Sequence, residues 1–132
     1  MIVLDTHTLI WWVSDHPSLS KKARKCIDTE QKNKGDIVVS SISAWEIAML
    51  TSKGHLTLSI DIDSWLKLVG EIDRVTFLPI DNRVAVESTR LPGEFHKDPA
   101  DRIITAQARA LSAPLVTADE KILKYSHVKT IW

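Results

Sequence analysis

Met1-Ile2-Val3-Leu4-Asp5 opens the chain with four apolar residues and then a carboxylate. An apolar run of this length is typical of a fully buried strand, here one that delivers an acid at its carboxyl end. Later runs share this character and lack the alternation of polar and apolar residues that marks a half-exposed strand. They are Ile37–Ser40, Val75–Ile80 and Leu115–Thr117, with Val128–Ile131 as a candidate fifth strand.

Helical patterns separate these strands. They are predicted at Thr8–Val13, Leu19–Glu30 and Ser43–Lys53, from Asp61 or Asp63 through about Ile72, from Asp81 or Asn82 onward, from Asp98-Pro99 onward with the proline at the first helical position, and at Glu120–Tyr125. Buried strands that alternate with helices predict a mostly parallel sheet of four to five strands between two helical layers, a three-layer α/β/α fold. Residues 1–132 contain no repeat, low-complexity tract or linker, so we expect one domain.

Composition limits the function classes only weakly. The 132 residues are 44% hydrophobic, which suffices for a full core, and 17 basic residues balance 17 acidic ones. That neutrality gives no argument for or against a nucleic-acid partner. The single cysteine, Cys26, has no intrachain disulfide partner and suits a reducing compartment. No apolar run is long enough for a signal peptide or a membrane span, so we expect a cytoplasmic protein without membrane contact.

Four acids fall where ligands collect in open α/β sheets, beyond the carboxyl ends of the strands. Asp5 ends the first strand, and Asp119 comes two residues after Thr117. Glu46 is predicted in the first turn of the helix after the second strand, and Asp101 in the first turn of the helix before the fourth. The spacing therefore predicts that acids from separate elements share one edge of the sheet.

Each acid also has a structural interpretation. Ser43 and Glu46 have the spacing of a capping box, and Asp101 suits the first turn of a helix. Asp119 is placed to cap a short helix, and Asp5 to cap the helix that begins near Thr8. Asp5 is the hardest to explain in this way, because a charge directly after a buried strand is costly unless it is paired or coordinated.

Taken together, the four carboxylates favour a metal site. Clustered carboxylates repel, so at least one would be protonated unless a cation is present. Hard oxygen ligands suit Mg²⁺ or Mn²⁺, which keep several waters and also bind phosphate oxygens. The chemistry of such a site is metal-assisted hydrolysis of phosphodiesters.

The sequence resembles the PIN-domain family, and within it the VapC-type toxin ribonucleases of VapBC toxin–antitoxin systems. Four motifs in order carry the resemblance: Leu4-Asp5-Thr6-His7-Thr8-Leu9-Ile10-Trp11, Ser43-Ala44-Trp45-Glu46-Ile47-Ala48, His96-Lys97-Asp98-Pro99-Ala100-Asp101-Arg102 and Thr117-Ala118-Asp119. The resemblance spans residues 4 to 125. It implies a parallel sheet flanked by helices, Mg²⁺ or Mn²⁺ at the acids, and endonucleolytic cleavage of RNA. It also implies a homodimer and a small antitoxin that covers the active site.

By position, the resemblance makes Asp5, Glu46, Asp101 and Asp119 the catalytic, metal-binding acids. It implies that the Thr117 hydroxyl helps to hold the Asp5 carboxylate or a metal-bound water. Supporting roles remain open for three residues. Asp98 either caps the helix or joins the outer shell of the metal, and Arg102 contacts a phosphate or pairs with a carboxylate. His7, where many relatives have asparagine or serine, contacts the substrate phosphate or the acids, or is hydrogen-bonded at a helix start.

Five tryptophans are many for this length. Core packing is the ordinary interpretation of each, while one or two of Trp11, Trp12 and Trp45 are candidates for a partner groove or dimer contact, because aromatic residues concentrate at interfaces.

Other classes of α/β protein fit less well. A receiver domain needs an acidic pair early in the chain, and Asp5 has no acidic neighbour. A haloacid-dehalogenase-type phosphatase needs a second aspartate where His7 stands, and no glycine-rich phosphate loop with Lys-Ser/Thr is present. The alternative that remains is a PIN fold that binds RNA or protein without catalysis.

Overall fold

The computed structural model describes all residues from Met1 to Trp132. Five parallel strands form one sheet in the order β3-β2-β1-β4-β5. The elements are β1 (Ile2–Leu4), α1 (Thr6–Val13), α2 (Lys21–Lys32), β2 (Ile37–Ser40), α3 (Ser41–Ser52), α4 (Ile62–Gly70), β3 (Val75–Leu78), α5 (Asn82–Thr89), α6 (Pro99–Ala110), β4 (Leu115–Val116), α7 (Glu120–Leu123) and β5 (Thr130–Ile131). The predicted fold class is confirmed, including the fifth strand.

The main error of the sequence-based prediction lies at helix starts. The first three helices were predicted to begin at Thr8, Leu19 and Ser43, whereas they begin at Thr6, Lys21 and Ser41. Ser20 caps α2, and α1 and α3 start directly after the last residue of a strand or its cap. The reason is capping by polar residues at the strand ends. Asp5 and Ser40 accept hydrogen bonds from first-turn amides, so each strand turns into its helix without a loop.

The core occupies both faces of the sheet. On one face, Ile2 and Leu4 pack with Ile27 and Ile47 of α2 and α3. On the other face, Val3 of the same strand packs with residues of α6, β4 and α7, namely Ile104, Ala108, Leu115 and Ile122. Successive residues of a strand point to opposite faces, so a strand buried on both sides is apolar at every position.

The strand order reverses between β1 and β4. From β1 the chain proceeds outward through β2 to β3, and it then returns to form β4 on the other side of β1. Ligands in open α/β sheets bind at such a reversal, outside the carboxyl ends of the strands. Asp5 follows β1 directly and Asp119 lies just beyond β4, so this edge holds the candidate site. None of the helices has both the length and the apolar character to span a membrane.

Candidate active site

Asp5 is a buried carboxylate whose two oxygens are both hydrogen-bonded. Its side chain caps α1, where Oδ1 accepts from the Thr6 amide at 2.8 Å. Oδ2 accepts from the Thr117 hydroxyl at 2.7 Å. The residue is only 3% exposed. A buried charge needs such donors, and with both oxygens held the plane of this carboxylate is fixed.

Thr117 connects Asp5 to a second acid. Its hydroxyl donates to Asp5 and accepts from the Asp119 amide at 3.0 Å. Asp119 in turn caps α7, because its Oδ1 accepts from the Ile122 amide at 3.0 Å. Asp119 therefore has the capping role suggested by the sequence, while its position beside Thr117 keeps it near Asp5.

Glu46 lies in the second turn of α3, because that helix begins at Ser41 rather than Ser43. The capping-box interpretation of Ser43 and Glu46 is therefore wrong, as is the placement of Glu46 in the first turn. Instead, Glu46 Oε1 accepts from the Thr6 hydroxyl at 2.6 Å. Thr6 has one hydroxyl proton, so its 2.7 Å contact with the Ser43 hydroxyl has Ser43 as the donor.

This arrangement joins Glu46 to the end of β1. Thr6 is next to Asp5 in the chain, and its hydroxyl contacts a side chain that is 40 residues away. Burial raises the pKa of Glu46 above its usual range, opposed by the Thr6 hydrogen bond and reinforced by the negative charges of Asp5, Asp101 and Asp98. Glu46 is thus electrostatically part of the same acidic group.

Asp101 lies in the first turn of α6, and Asp98 caps that helix by accepting from the Asp101 amide at 2.9 Å. Asp101 Oδ2 lies 2.6 Å from His96 Nε2, and both side chains are about one-fifth exposed, 19% and 20%. Burial raises the pKa of Asp101 from 3.8 to about 6. The His96 hydrogen bond opposes this rise, and the charges of Asp5, Asp98 and Asp119 add to it.

The structure thus brings the four acids to one edge, within electrostatic reach of one another. Asp101 and Asp119 also line a shared open cleft of about 400 Å³. The oxygen donors suit Mg²⁺ or Mn²⁺ in kind, and a cation would oppose both the burial that chiefly raises these pKa values and the repulsion that adds to it. No three of these side chains have the geometry to hold a metal ion as they stand. The carboxylates are instead directed at hydroxyls, a histidine and capping amides.

His7 links the two central strand ends. Its Nε2 accepts from the Ala118 amide at 2.9 Å, so this nitrogen carries no proton. Its Nδ1 lies 3.7 Å from Asp5 Oδ2. Of the roles considered for His7, these contacts match hydrogen bonding at a helix start and contact with a neighbouring acid.

Of the two contacts considered for Arg102, the pair with a carboxylate is absent, and the contact with a phosphate stays a prediction. Its guanidinium donates to the backbone carbonyls of His96, Phe95 and Ser88 at 2.8, 2.8 and 3.0 Å. It also lies over the Phe95 ring, 5.6 Å from the centroid. Arg102 forms no salt bridge with a carboxylate and instead fixes the loop between α5 and α6.

His96 is the site residue that sequence reasoning missed. It stands within the third quoted motif, two residues before the cap of α6, and reaches back over the cap to Asp101. Its ring stacks on Phe95 at 4.5 Å between centroids. The signal in the sequence is a histidine just before a capping Asp-Pro pair. The chain that enters a helix lies beside the helix's first turn, so such a histidine is placed to contact an acid in that turn.

Among the tryptophans considered for a partner surface, Trp45 is the exposed one. It is 57% exposed and stands next to Glu46 on α3. Trp11 and Trp12 are half-buried and pack against the core. Trp45 is therefore the tryptophan on α3 that is free to meet a partner, while Trp11 packs near His7 with its ring centroid 5.0 Å away.

The sheet is all parallel with the strand order 3-2-1-4-5, and its carboxyl edge carries the four carboxylates. These features define an α/β protein with a cluster of acids where its sheet reverses strand order. The chain belongs to the PIN domain family, whose family model matches residues 2–128. It is 32% identical over 133 residues to Ribonuclease VapC22 of Mycobacterium tuberculosis, covering 99% of this chain and 98% of that protein.

Solved structures share the fold at lower identity. VapBC2 from Rickettsia felis, solved bound to a DNA fragment from its promoter, superposes with a TM-score of 0.73 at 21% identity, covering 98% of this chain and 97% of that one. A toxin–antitoxin complex from Klebsiella pneumoniae superposes with a TM-score of 0.67 at 19% identity, covering 97% of this chain and 95% of that one. For FitAcB from Neisseria gonorrhoeae the TM-score is 0.63 at 22% identity, covering 98% of this chain and 96% of that one.

Proposed function

We propose that this protein is a divalent-metal-dependent endoribonuclease that hydrolyses RNA phosphodiester bonds. The observation that carries the proposal is the gathering of Asp5, Glu46, Asp101 and Asp119 at the reversal point of the sheet, with pKa values raised at Glu46 and Asp101. Membership of the PIN domain family and the similarity to a ribonuclease across the whole chain support the same activity.

The four carboxylates are the groups that would hold Mg²⁺ or Mn²⁺. A bound divalent ion lowers the pKa of its water and neutralises charge on the phosphate as it reacts. Because Thr6 and Thr117 hold both oxygens of Asp5, Asp5 is the fixed member of the set. Asp101 and Glu46 are less completely held, so their side chains are the ones we expect to adjust.

The remaining chemistry needs a water and a leaving group. The attacking water forms a bond to phosphorus and loses a proton, while the bond to the leaving ribose oxygen breaks and that oxygen gains a proton. The protein's part is to orient the phosphate and the water beside the carboxylates. Thr117 holds Asp5 rigidly for this purpose and joins it to the start of α7, while the Thr6 hydroxyl connects Glu46 to the end of β1.

The test is cleavage of total cellular RNA by the purified protein with Mn²⁺, with Mg²⁺ and with EDTA. Wild-type protein should give discrete fragments with metal and none with EDTA. Asp5→Asn should lose cleavage while its circular dichroism spectrum is unchanged. Asp63→Asn, an exposed acid in the first turn of α4, is the matched control and should cleave like wild type. Full activity in Asp5→Asn would refute the site.

The alternative is a PIN fold that binds RNA or protein without cleaving. It predicts no product at any protein concentration, and RNA or antitoxin binding that Mn²⁺ does not change. Absence of Mn²⁺ binding by calorimetry, together with absence of cleavage, would favour this alternative over the ribonuclease, and binding of RNA or antitoxin by the same protein would support it directly.

We further propose that the protein is the toxin of a toxin–antitoxin pair, acts in the cytoplasm and forms a homodimer. The support is the similarity to Ribonuclease VapC22 and to solved toxin–antitoxin complexes. Trp45, the residue before Glu46 on α3, is an exposed aromatic and a suitable anchor for an antitoxin segment. A co-expressed antitoxin should co-purify with the wild-type protein, and Trp45→Ala should weaken its binding. Light scattering on the purified protein measures whether it is a dimer.

A further inference from the structure

A second cleft lies beside the acids and has the opposite charge. It occupies about 440 Å³ between the loop before α6 and the chain around α7. We call it the lysine cleft, and its main lining residues are Phe95, His96, Lys121, Lys124, Tyr125 and His127. Lys121 and Lys124 stand three positions apart on and just after α7, so their side chains share one face.

These two lysines are available to a ligand. Both are exposed, and neither takes part in any of the ion pairs of the structure. Glu94 is the only carboxylate that lines the lysine cleft. The lysine cleft is therefore lined by two ammonium groups that form no ion pair and by one carboxylate, whereas the chain as a whole is neutral.

The lysine cleft is continuous with the acidic cleft. His96 and Lys121 line both, and the acidic cleft contains Asp98, Asp101, Asp119 and Glu120 as its other lining residues. A polyanion with a phosphate at the acids would therefore pass Lys121 on leaving the site. Lys124, one turn further along, extends the positive surface away from the acids.

The floor of the lysine cleft is rigid. Phe95 stacks on His96 at 21° between ring planes and meets Tyr125 edge-on at 4.9 Å. The Tyr125 hydroxyl donates to the Pro92 carbonyl, and Arg102 holds the Phe95 and His96 carbonyls. Tyr125 is buried, so the rings shape the cleft and the lysines are the groups that a ligand would meet.

We propose that the lysine cleft binds a backbone phosphate of single-stranded RNA next to the one at the acids, through Lys121 and Lys124. The proposal rests on the proposed ribonuclease function and names the surface that orients its substrate. Phosphate contacts by lysine supply affinity without sequence preference, and each contact releases counterions, which makes binding depend on salt.

The experiment measures binding of a fluorescein-labelled 12-nucleotide single-stranded RNA by anisotropy in EDTA, at several salt concentrations. The double variant Lys121→Ala/Lys124→Ala should bind about tenfold more weakly, and its slope of log K against log salt should be smaller by about 1 to 1.5. The control Lys53→Ala/Lys67→Ala removes two exposed lysines at the C-terminal ends of α3 and α4, which line neither cleft, and should match wild type.

Cleavage of the same RNA by wild type in Mn²⁺ is measured in parallel, which separates this proposal from the proposed function. Cleavage by wild type, with unchanged affinity and salt slope in Lys121→Ala/Lys124→Ala, would overturn the lysine cleft alone. An equal loss of RNA affinity in the two double variants would also overturn it, because positive charge anywhere on the surface would then be enough to explain binding. A wild-type protein that neither binds nor cleaves RNA would overturn both proposals.

Discussion

The Thr117 hydroxyl donates to Asp5 Oδ2 at 2.7 Å across 112 positions of sequence. The hydroxyl oxygen of Thr117 in turn accepts from the Asp119 amide, so this one hydroxyl fixes both a buried carboxylate and the start of α7. Asp5 and Thr117 follow the two adjacent strands at which the sheet reverses its order.

Replacing Thr117 by valine keeps the shape but removes the donor to Asp5. A buried carboxylate that loses a hydrogen bond costs about 1–3 kcal/mol of stability, and misorientation of Asp5 should lower kcat about 10- to 100-fold. Thr117→Ser should retain most of the activity. Chemical denaturation and initial cleavage rates measure both effects.

Thr105 provides the matched control for Thr117→Val. It is fully buried on α6, and its hydroxyl has no hydrogen-bond partner. Thr105→Val should therefore leave the cleavage rate unchanged and leave the free energy of unfolding equal or higher. An equal fall in activity for both variants would show that Thr117 has no special relation to Asp5.

His96→Ala should weaken Mn²⁺ binding about tenfold, because the ring no longer orients the Asp101 carboxylate. Calorimetric titration with Mn²⁺ measures this without reference to cleavage. His96→Gln, which keeps a donor, should recover part of the affinity, and His55→Ala, at an exposed position, should have none of these effects. Tighter Mn²⁺ binding in His96→Ala would mean that the ring competes with the metal for Oδ2.

The pKa of Asp101, raised by burial to about 6, makes the stability of the metal-free protein depend on pH. Between pH 4 and about 6 the folded protein holds a proton that the unfolded chain has released, so stability falls as the pH rises through this window. Asp101→Asn lacks this titration. Chemical denaturation in EDTA measures the free energy of unfolding of both proteins at each pH, and the variant should gain stability relative to wild type from pH 4 to 6.5. A difference between the two proteins that stays constant with pH would contradict the prediction.

Arg102→Lys should destabilise the protein by on the order of 2–3 kcal/mol, since a single ammonium cannot serve three carbonyls in the fixed arrangement of a guanidinium. Thermal unfolding measures the loss. Arg90→Lys is the control, because Arg90 pairs only with Glu87 on an exposed helix surface and should shift the melting temperature little. Similar shifts in both variants would argue against a loop-fixing role.

Much of the fold could be predicted from local signals. The strand Ile37–Ser40 was predicted with its observed bounds, because a β-branched run between a turn and a polar residue has no good helical alternative. The start of α3 was misplaced because Ser40, Ser41 and Ser43 are all acceptable caps, and only packing selects Ser40. That two-residue error is what made Glu46 resemble part of a capping box.

The candidate site was predictable where it depends on strand ends and not where it depends on packing between distant elements. Asp5 and Asp119 follow from the positions of β1 and β4. The contact between Thr6 and Glu46 does not, since it requires α3 to pack against α1 in one register. The partners of Arg102 were not predictable, because they are backbone carbonyls, which the sequence does not distinguish from any other peptide group.

The bond between Asp5 and Thr117 also sets when the acidic edge can exist. A ribosome makes Asp5 112 positions before the hydroxyl that completes its hydrogen bonds. A nascent chain thus carries the Asp5 carboxylate without this donor until β4 and Thr117 have left the exit tunnel. Assembly of the acidic edge is thereby tied to the synthesis of β4, and a product that ends before Thr117 would lack the donor to Asp5.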